Sequence, residues 1–396
     1  MSYLVRIEVL NVGQGLGVIL DFNNGQFGVV DCGPRLGAGN VVHQRLKEKV
    51  EQGKLGSIEF VLLSHLDVDH IGGLSDILMD SALVARIKKI VCNDAQYRLA
   101  VELLRKVGTS LVKQVDAGET GILRHEGSLA RIRALGHLKA ALANEEAHEH
   151  VEVTLAKDDA GKALFRSSMG VNVVALGPTG EMRDVARSGL PDITEAAATR
   201  DILRLIPTLE RVWNDGCIIL SVRAGKKVVL LPGDMTWQAL QNLIGEERRR
   251  KKLKSDAVVA WHHGGRLWNR GDSTRDRQAW RLALRKAGGL VIISCGTGNR
   301  YGHPHQESVE GISAAGGTMV CTQLSEGTWE EGVSESGLRD FLDVLPYSRV
   351  SLRRRSGRAC WGDVVLEIAE DSTVHLTGEE RGEGHPCVVA CCRTGS

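Results

Sequence analysis

The chain has 396 residues with 50 Lys+Arg against 49 Asp+Glu, a formal net charge of +1, and is 42% hydrophobic and 25% charged. That balance excludes a disordered chain, and near-neutrality leaves the partner undetermined by overall charge. No apolar run reaches the roughly 18 residues of a membrane span, and the opening MSYLVRIEVLNVG reads as a strand instead of a charged-then-apolar leader, so a soluble, cytoplasmic protein without membrane attachment is expected.

Along the chain, Val5, Ile7 and Val9 alternate with Arg6 and Glu8, the period of a half-buried strand. The apolar runs GVILDF and FGVVDCG flank Asn23-Asn24-Gly25, residues that tolerate the positive φ of a tight hairpin turn. After an amphipathic segment from Val42 to Val50, IEFVLLSH is a short buried strand ending in polar residues, and Ile71-Gly72-Gly73-Leu74 opens a helix. Residues from about 97 to 168 read as an insertion, helical in its apolar spacing and strongly polar between Asn144 and Lys162, as a solvated face or loop would be. Strand character returns at VNVVALGP, and a second hairpin, CIILSV and KVVLLPGD, turns at Ala224-Gly225-Lys226. Helices and strands then alternate: TWQALQNLIGEERRR, DAVVAWHH, STRDRQAWRLALRKAGG, LVIISCG, HPHQESVEGISAAGG and TMVCTQ. In the tail, CWGDVVLEIA looks like a strand with which STVHLTG can pair.

Both halves therefore show a hairpin, an acidic turn, a helix and a strand ending in histidine. Two sheets facing each other with helices outside would bury both sets of strands. The expected organisation is one domain over residues 1–325 and an extension over 326–396 that packs on or flanks it. The nine cysteines are spread along the chain without a CxxC pair, so a four-sulfur metal site is not indicated; most are expected to be reduced and buried, and Cys391 and Cys392 sit together near the end.

The densest chemistry lies in Ser64-His65-Leu66-Asp67-Val68-Asp69-His70. On extended backbone His65, Asp67 and Asp69 would face one way, and His70 would join them where the helix begins. Imidazole and carboxylate together suit zinc, manganese or iron, whereas calcium and magnesium favour oxygen throughout. The competing reading is a polar loop in which Asp69 caps the helix. Three further strand ends bring Asp234 in LLPGD, His262-His263-Gly264, and His303 with His305 in NRYGHPH.

On these residues the chain resembles the metallo-β-lactamase fold superfamily, most of all the branch typified by the C-terminal domain of the ComEC/Rec2 competence proteins, which carries HxDxDH where most relatives have HxHxDH. SHLDVDHIGG, VVDCG, NDGCIILSV, LLPGD, AWHHGG and NRYGHP carry the likeness over residues 3 to 325. The resemblance implies an αββα four-layer sandwich, an α/β fold with a helical and polar insertion, and two divalent ions, zinc or alternatively manganese, at one edge of the sheets. It implies that His65 and Asp67 hold one ion, Asp69 and His70 the other, and Asp234 bridges them. His263 would complete the second site with His262 as its neighbour or substitute, Asp31 would orient ligands by hydrogen bonding, and His303 would face the substrate. Three departures stand out. The histidine that many relatives place before the bridging aspartate has only His148 and His150 as candidates, Asp67 replaces an imidazole, and Gly265 stands where serine is common.

A bound metal lowers the pKa of water towards ~7, so hydrolysis is the natural reaction class, with Asp69 accepting a proton and His303 stabilising developing negative charge. Arg248 to Lys254, then Arg266, Arg270, Arg275, Arg277, Arg281 and Arg285, suit a phosphodiester backbone or simply a solvated helix face, and Arg353-Arg354-Arg355 adds a second patch. Asn214 and Arg266 are the expected substrate contacts. The reading is a nuclease or phosphodiesterase, with a defence or signalling system as one setting and nucleic acid or another phosphodiester as partner. The alternatives are a hydrolase of a lactone, thioester or amide, and a catalytically weak module that binds a protein through the insertion or extension.

Overall fold

Strands buried on both faces form the framework. The computed structural model describes residues 2–35, 39–93, 96–97, 152–156, 163–180, 213–245, 247–267, 273–285, 288–296, 299, 301–323 and 362–378. In the first sheet β1 (Tyr3–Val9), β2 (Gly17–Asp21) and β3 (Gln26–Cys32) run antiparallel, and β4 (Ser57–Leu62), β5 (Lys89–Asn93) and β6 (Glu152–Ala156) add in parallel. In the second sheet β7 (Ala163–Arg166), β8 (Asn172–Ala175), β9 (Leu220–Ala224) and β10 (Lys227–Leu231) are antiparallel, followed by parallel β11 (Ala257–Val259), β12 (Leu290–Ile293) and β13 (Thr318–Cys321). β14 (Val364–Ala369) pairs antiparallel with the free side of β1, and β15 (Val374–Gly378) pairs with β14.

Alternation along β2 shows the layering. Val18 and Leu20 belong to the apolar cluster that joins the two sheets, with Ile7, Leu62, Ile219, Val229 and Val258. Ile19 belongs to a second cluster with Leu46, Leu74 and Ile77, which come from helices α1 (Val41–Glu51) and α3 (Leu74–Leu78). Helices α2 (Val68–Ile71) and α4 (Ser81–Val84) lie on that same outer side. The second sheet is followed by α5 (Trp237–Ile244), α6 (Glu247–Leu253), α7 (Ser273–Ala283) and α8 (Gln306–Ala314), whose Leu240, Leu243, Trp280 and Ile312 continue the core. The result is helix, sheet, sheet, helix. Cys32, Cys92, Cys217, Cys295 and Cys321 are buried free thiols, and no helix among the described residues is long and apolar enough to cross a membrane.

The structure differs from the sequence reading at the sheet edges. β6 and β7 fall inside the segment read as an insertion over 97–168, and β6 occupies part of the stretch read as polar loop. Short edge strands are specified by the partner they pair with more than by their own composition, which is why they escaped the pattern. The helical reading of residues 98–151, with His148 and His150, lies outside the described residues, as do Arg353 to Arg355, Cys391 and Cys392.

The glycine pair after α2 sets the approach of two loops. A Cβ at Gly73 would overlap the Asn40 amide and lie 2.5 Å from the Cys32 carbonyl. Asn40 is itself committed: its Oδ1 accepts from His43 N at 2.8 Å to cap α1, and its Nδ2 donates to Cys32 O at 2.7 Å and Pro34 O at 3.0 Å. Gly72 is equally tight, with a Cβ 2.6 Å from Val68 O. Gly73→Ala is therefore expected to destabilise the fold by about 1–3 kcal/mol through displacement of Asn40. Denaturant unfolding reads this directly, and an unchanged midpoint would contradict it.

Candidate metal centre

The predicted ligands arrive at the carboxyl ends of neighbouring strands. After β4, Ser64 and His65 lead to Asp67, which is the N-cap residue of α2, while Asp69 and His70 lie within that helix. The cluster is therefore not an extended strand of alternating ligands: the chain turns helical at Val68, and Asp67, not Asp69, takes the cap position. Its carboxylate makes no cap hydrogen bond and instead lies 3.5 Å from His65 Nε2. Asp234 follows β10, and His262 and His263 follow β11 in a 3₁₀ turn (Trp261–Gly264) at φ 49° and 55°. Left-handed backbone is uncommon for histidine, and the cost is borne here to aim two adjacent rings at one point.

Hydrogen bonding fixes which nitrogen of each ring faces inward. His263 Nδ1 lies 3.0 Å from the Ser294 carbonyl, an acceptor only, so Nδ1 carries the proton. His70 Nδ1 lies 2.7 Å from Asp31 Oδ2 and donates to it. Ser64 Oγ donates to Asp31 Oδ2 at 2.6 Å and thus accepts from His65 Nδ1 at 3.0 Å. All three imidazoles then turn an Nε2 lone pair towards Asp234. His70 Nε2 is 3.2 Å from His263 Nε2 and 3.2 Å from Asp234 Oδ1, and His65 Nε2 is 3.8 Å from Asp234 Oδ2.

This arrangement fits a divalent cation. Lone pairs facing one another repel unless a proton or a metal lies between them, and His65 Nε2 and Asp234 Oδ1 are buried without a hydrogen-bond partner. Donors each ~2.1 Å from a tetrahedral zinc stand about 3.4 Å apart, close to the separations found here. His65, His70 and Asp234 form one possible ligand group, and Asp69, His70 and His263 another. A single lone pair serves one ion, so His70 joins one group or the other.

The remaining predicted residues are placed differently. His262 is part-exposed, with Nε2 3.8 Å from Asp234 Oδ2. His303 stands beside it, ring centroids 5.1 Å apart. Asn214 lies in a helical turn before β9 with a buried, unpartnered Oδ1, outside both ligand groups. Arg266 is ion-paired to Glu307 at 3.1 Å. The basic run is remote: Lys254 precedes β11 and His262 follows it, so the two stand at opposite ends of that strand. Lys254 Nζ donates to Arg281 O at 2.7 Å, and Arg285 pairs with Asp256 at 3.3 Å. A Cβ at Gly265 would lie 3.1 Å from His303 Nε2, which accounts for glycine there. Ser64, Ser294 and Gln14 were missed. Ser64 had one signal, its place immediately before His65, while Ser294 acts through its backbone carbonyl and carries none.

Residues 10–86 match the model of the metallo-beta-lactamase superfamily. The helix, sheet, sheet, helix layering is consistent with the metallo-β-lactamase fold. Similar solved structures include the metallo-beta-lactamase fold protein YhfI from Bacillus subtilis, 12% identical over 80% of this chain and 96% of that one with a TM-score of 0.41. Zinc-bound PqqB from Methylobacterium extorquens is 10% identical over 78% and 85%, TM-score 0.38, and the short form of human tRNase Z is 11% identical over 81% and 93%, TM-score 0.33. No curated protein matches the sequence.

At this centre protons and cations compete for the same Nε2 atoms. Burial opposes ionisation of His70, but Asp234 and Asp31 outweigh it and raise its pKa well above the ordinary imidazole value. His263 is raised in the same way by Asp234 and Asp69 against burial. Burial likewise opposes ionisation of Asp234, and His263 and His70 reverse it, holding the carboxyl well below its usual range. The raised imidazoles contribute stability below pH ~6.5 that is lost as pH rises through their folded values, and the depressed carboxyl contributes above pH ~4. The thermal midpoint of chelator-treated protein should therefore fall as pH rises from about 6.5, and zinc should flatten that fall; a midpoint that rises over the same range would refute the assignment. Ser64→Ala should weaken zinc binding about 10- to 100-fold in competition with a chromophoric chelator. Wild-type affinity in that variant would show that the hydroxyl does not hold His65.

Proposed function

We propose that the protein is a metal-dependent phosphodiester hydrolase, a phosphodiesterase or nuclease of the ComEC/Rec2-like branch. The observation that carries the reading is the convergence of three Nε2 lone pairs with Asp69 and Asp234 in a buried cluster whose outer ring nitrogens are all tied down. His65, His70, His263, Asp69 and Asp234 would hold the ions, with Asp67 and His262 at the margin. A divalent ion bound there polarises a substrate oxygen and lowers the pKa of water towards ~7.

The chain's own residues orient and donate. Asp69 is 24% exposed, with Oδ2 3.4 Å from His263 Nε2. Burial raises its pKa, but the hydrogen bond from His263 and the charge of His70 lower it overall, so the carboxylate stays ionised. It suits orienting a water by accepting its hydrogen bond better than storing that water's proton. His303 is driven the other way, to about 2, by burial and then by His262, His263 and His305, so it is neutral at physiological pH. The Gln14 amide lies 3.3 Å from its Nδ1 and donates to it, which leaves the proton on Nε2, the atom beside Gly265. His303 thus stabilises developing charge on a substrate oxygen as a neutral donor, not as a cation.

Lys254 and Arg285 stand at the far end of β11 and do not neutralise phosphates next to the metal centre, so the phosphodiester reading rests on the ligand cluster and not on the basic run. The test is a substrate panel on zinc- and manganese-loaded protein: bis-p-nitrophenyl phosphate against nitrocefin, a thioester and a lactone. The phosphodiester should be preferred. Asp234→Ala and His263→Ala should each cost more than the roughly 100-fold typical of an outer-shell change. Preference for nitrocefin or the thioester would establish the small-molecule alternative, and undiminished turnover in both variants would remove the site.

A further inference from the structure

The loop that brings Gln14 to His303 is held from the far end of the chain. It runs from Leu10 to Leu16 between β1 and β2, and Gly13 and Gly15 take φ of 76° and 138° within it. Glycine loses more backbone freedom on folding than any other residue, so such a loop keeps one shape only where outside groups fix it.

Asn11 is the fixed point at its base. It is fully buried, its N–H donates to Asp363 Oδ1 at 2.6 Å, and its Oδ1 accepts from Gln323 Nε2 at 2.7 Å. Asp363 is buried as well, and its Oδ2 accepts from the guanidinium of Arg45 on α1. It immediately precedes β14, whose Val364 stands opposite Val9 at the end of β1. A hydrogen bond to an ionised acceptor is roughly twice as strong as a neutral one, so the extension grips the loop through a charge.

The contacts of the Gln14 side chain are longer. Gln14 Nε2 lies 3.3 Å from His303 Nδ1, and Gly296 N lies 3.5 Å from Gln14 Oε1. The loop backbone rests on Gly296, where a Cβ would come within 2.7 Å of Gln14 N. His303 is held independently: Asn299 Oδ1 accepts from its N at 2.8 Å, and Asn299 Nδ2 donates to its O at 2.7 Å. With the ring's backbone fixed and the amide at the outer edge of bonding range, a loop shift of a few tenths of an ångström decides whether Gln14 still donates.

We propose that Asp363 is a positioning residue of the candidate active site: by fixing Asn11 it sets the Gln14 amide on His303 Nδ1, so the carboxyl-terminal extension belongs to the site. The proposal rests on the hydrolase reading for what His303 does, and on these contacts alone for how it is held.

The contact is read by ¹⁵N resonances of zinc-loaded protein labelled at histidine, with His303 assigned by its loss in His303→Gln. Gln14→Ala defines the displacement of the Nδ1 signal when its donor is gone. Asp363→Ala should reproduce most of that displacement, while the signals of His65 and His70, whose Nδ1 partners are Ser64 and Asp31, stay in place. Asp363→Asn offers one oxygen to two donors and should move the signal part of the way, which keeps the test open where alanine does not fold. An unmoved Nδ1 signal in a folded variant would overturn the proposal, and so would all three rings shifting together, the mark of general damage. Turnover of bis-p-nitrophenyl phosphate supplies a second readout. Gln14→Ala and Asp363→Ala should each lower kcat by about 2- to 10-fold, the worth of one net hydrogen bond, with KM unchanged. The double variant should fall no further than either alone, and additive losses would show Asp363 acting apart from Gln14 and overturn the relay. No turnover in the wild type defeats the hydrolase reading and leaves the nitrogen signals to judge the contact.

Discussion

The Asp31 carboxylate is the constraint on which the site depends. It is fully buried and accepts from Ser64 N at 2.7 Å, Ser64 Oγ at 2.6 Å and His70 Nδ1 at 2.7 Å. A buried carboxylate costs several kcal/mol unless its lone pairs are met, and here the donors that meet them belong to the loop carrying the ligands. One anion thereby sets two tautomers. It accepts the hydrogen bond of His70 Nδ1–H directly, and by accepting from the single hydroxyl hydrogen of Ser64 it obliges that oxygen to accept from His65. Asp31 sits at φ 58°, a conformation that an L-residue adopts at a cost, on the strand preceding α1. The same left-handed geometry recurs at His262 and His263 on the opposite sheet. Strain therefore gathers where the two sheets present their ligands to each other, supported by a core that spans both.

Close backbone approach completes the arrangement. Gly15, at φ 138°, packs so tightly against the Asp69 carbonyl that a side chain there would overlap it, and Leu16 N donates to that same carbonyl at 3.1 Å. Ser294, whose carbonyl orients His263, donates its hydroxyl to Gly15 O at 2.7 Å. The loop between β1 and β2 thus touches ligand-bearing segments of both halves. Distortion of either sheet edge would reach the centre through these contacts.

Much of this was legible in residue order, and the rest was not for identifiable reasons. Period-two alternation exposed β1, and apolar runs with Gly and Asn turns exposed both hairpins, because these strands are long and buried on at least one face. β6 and β7 were absorbed into an insertion because four- or five-residue edge strands carry little pattern of their own. The ligand types of SHLDVDH were plain, but extended geometry was the wrong template: the helix begins at Val68, so Asp69 and His70 converge through a turn of helix. Ser64 and Gln14 act through one hydroxyl and one amide, residue types too common for spacing to mark. The basic run was visible in sequence with two readings open, a phosphodiester contact or a solvated face, and charge density alone does not tell which end of β11 it occupies.

Asp69, itself one of the candidate ligands, and His303 beside them are driven to opposite protonation states by burial and by the neighbouring imidazoles. Against burial, the His263 hydrogen bond and the charge of His70 hold Asp69 ionised, while burial, with His262 and His263, strips the proton from His303. The site thus sets an ionised carboxylate at Asp69 beside a neutral imidazole at His303, two states fixed by environment and not by residue type.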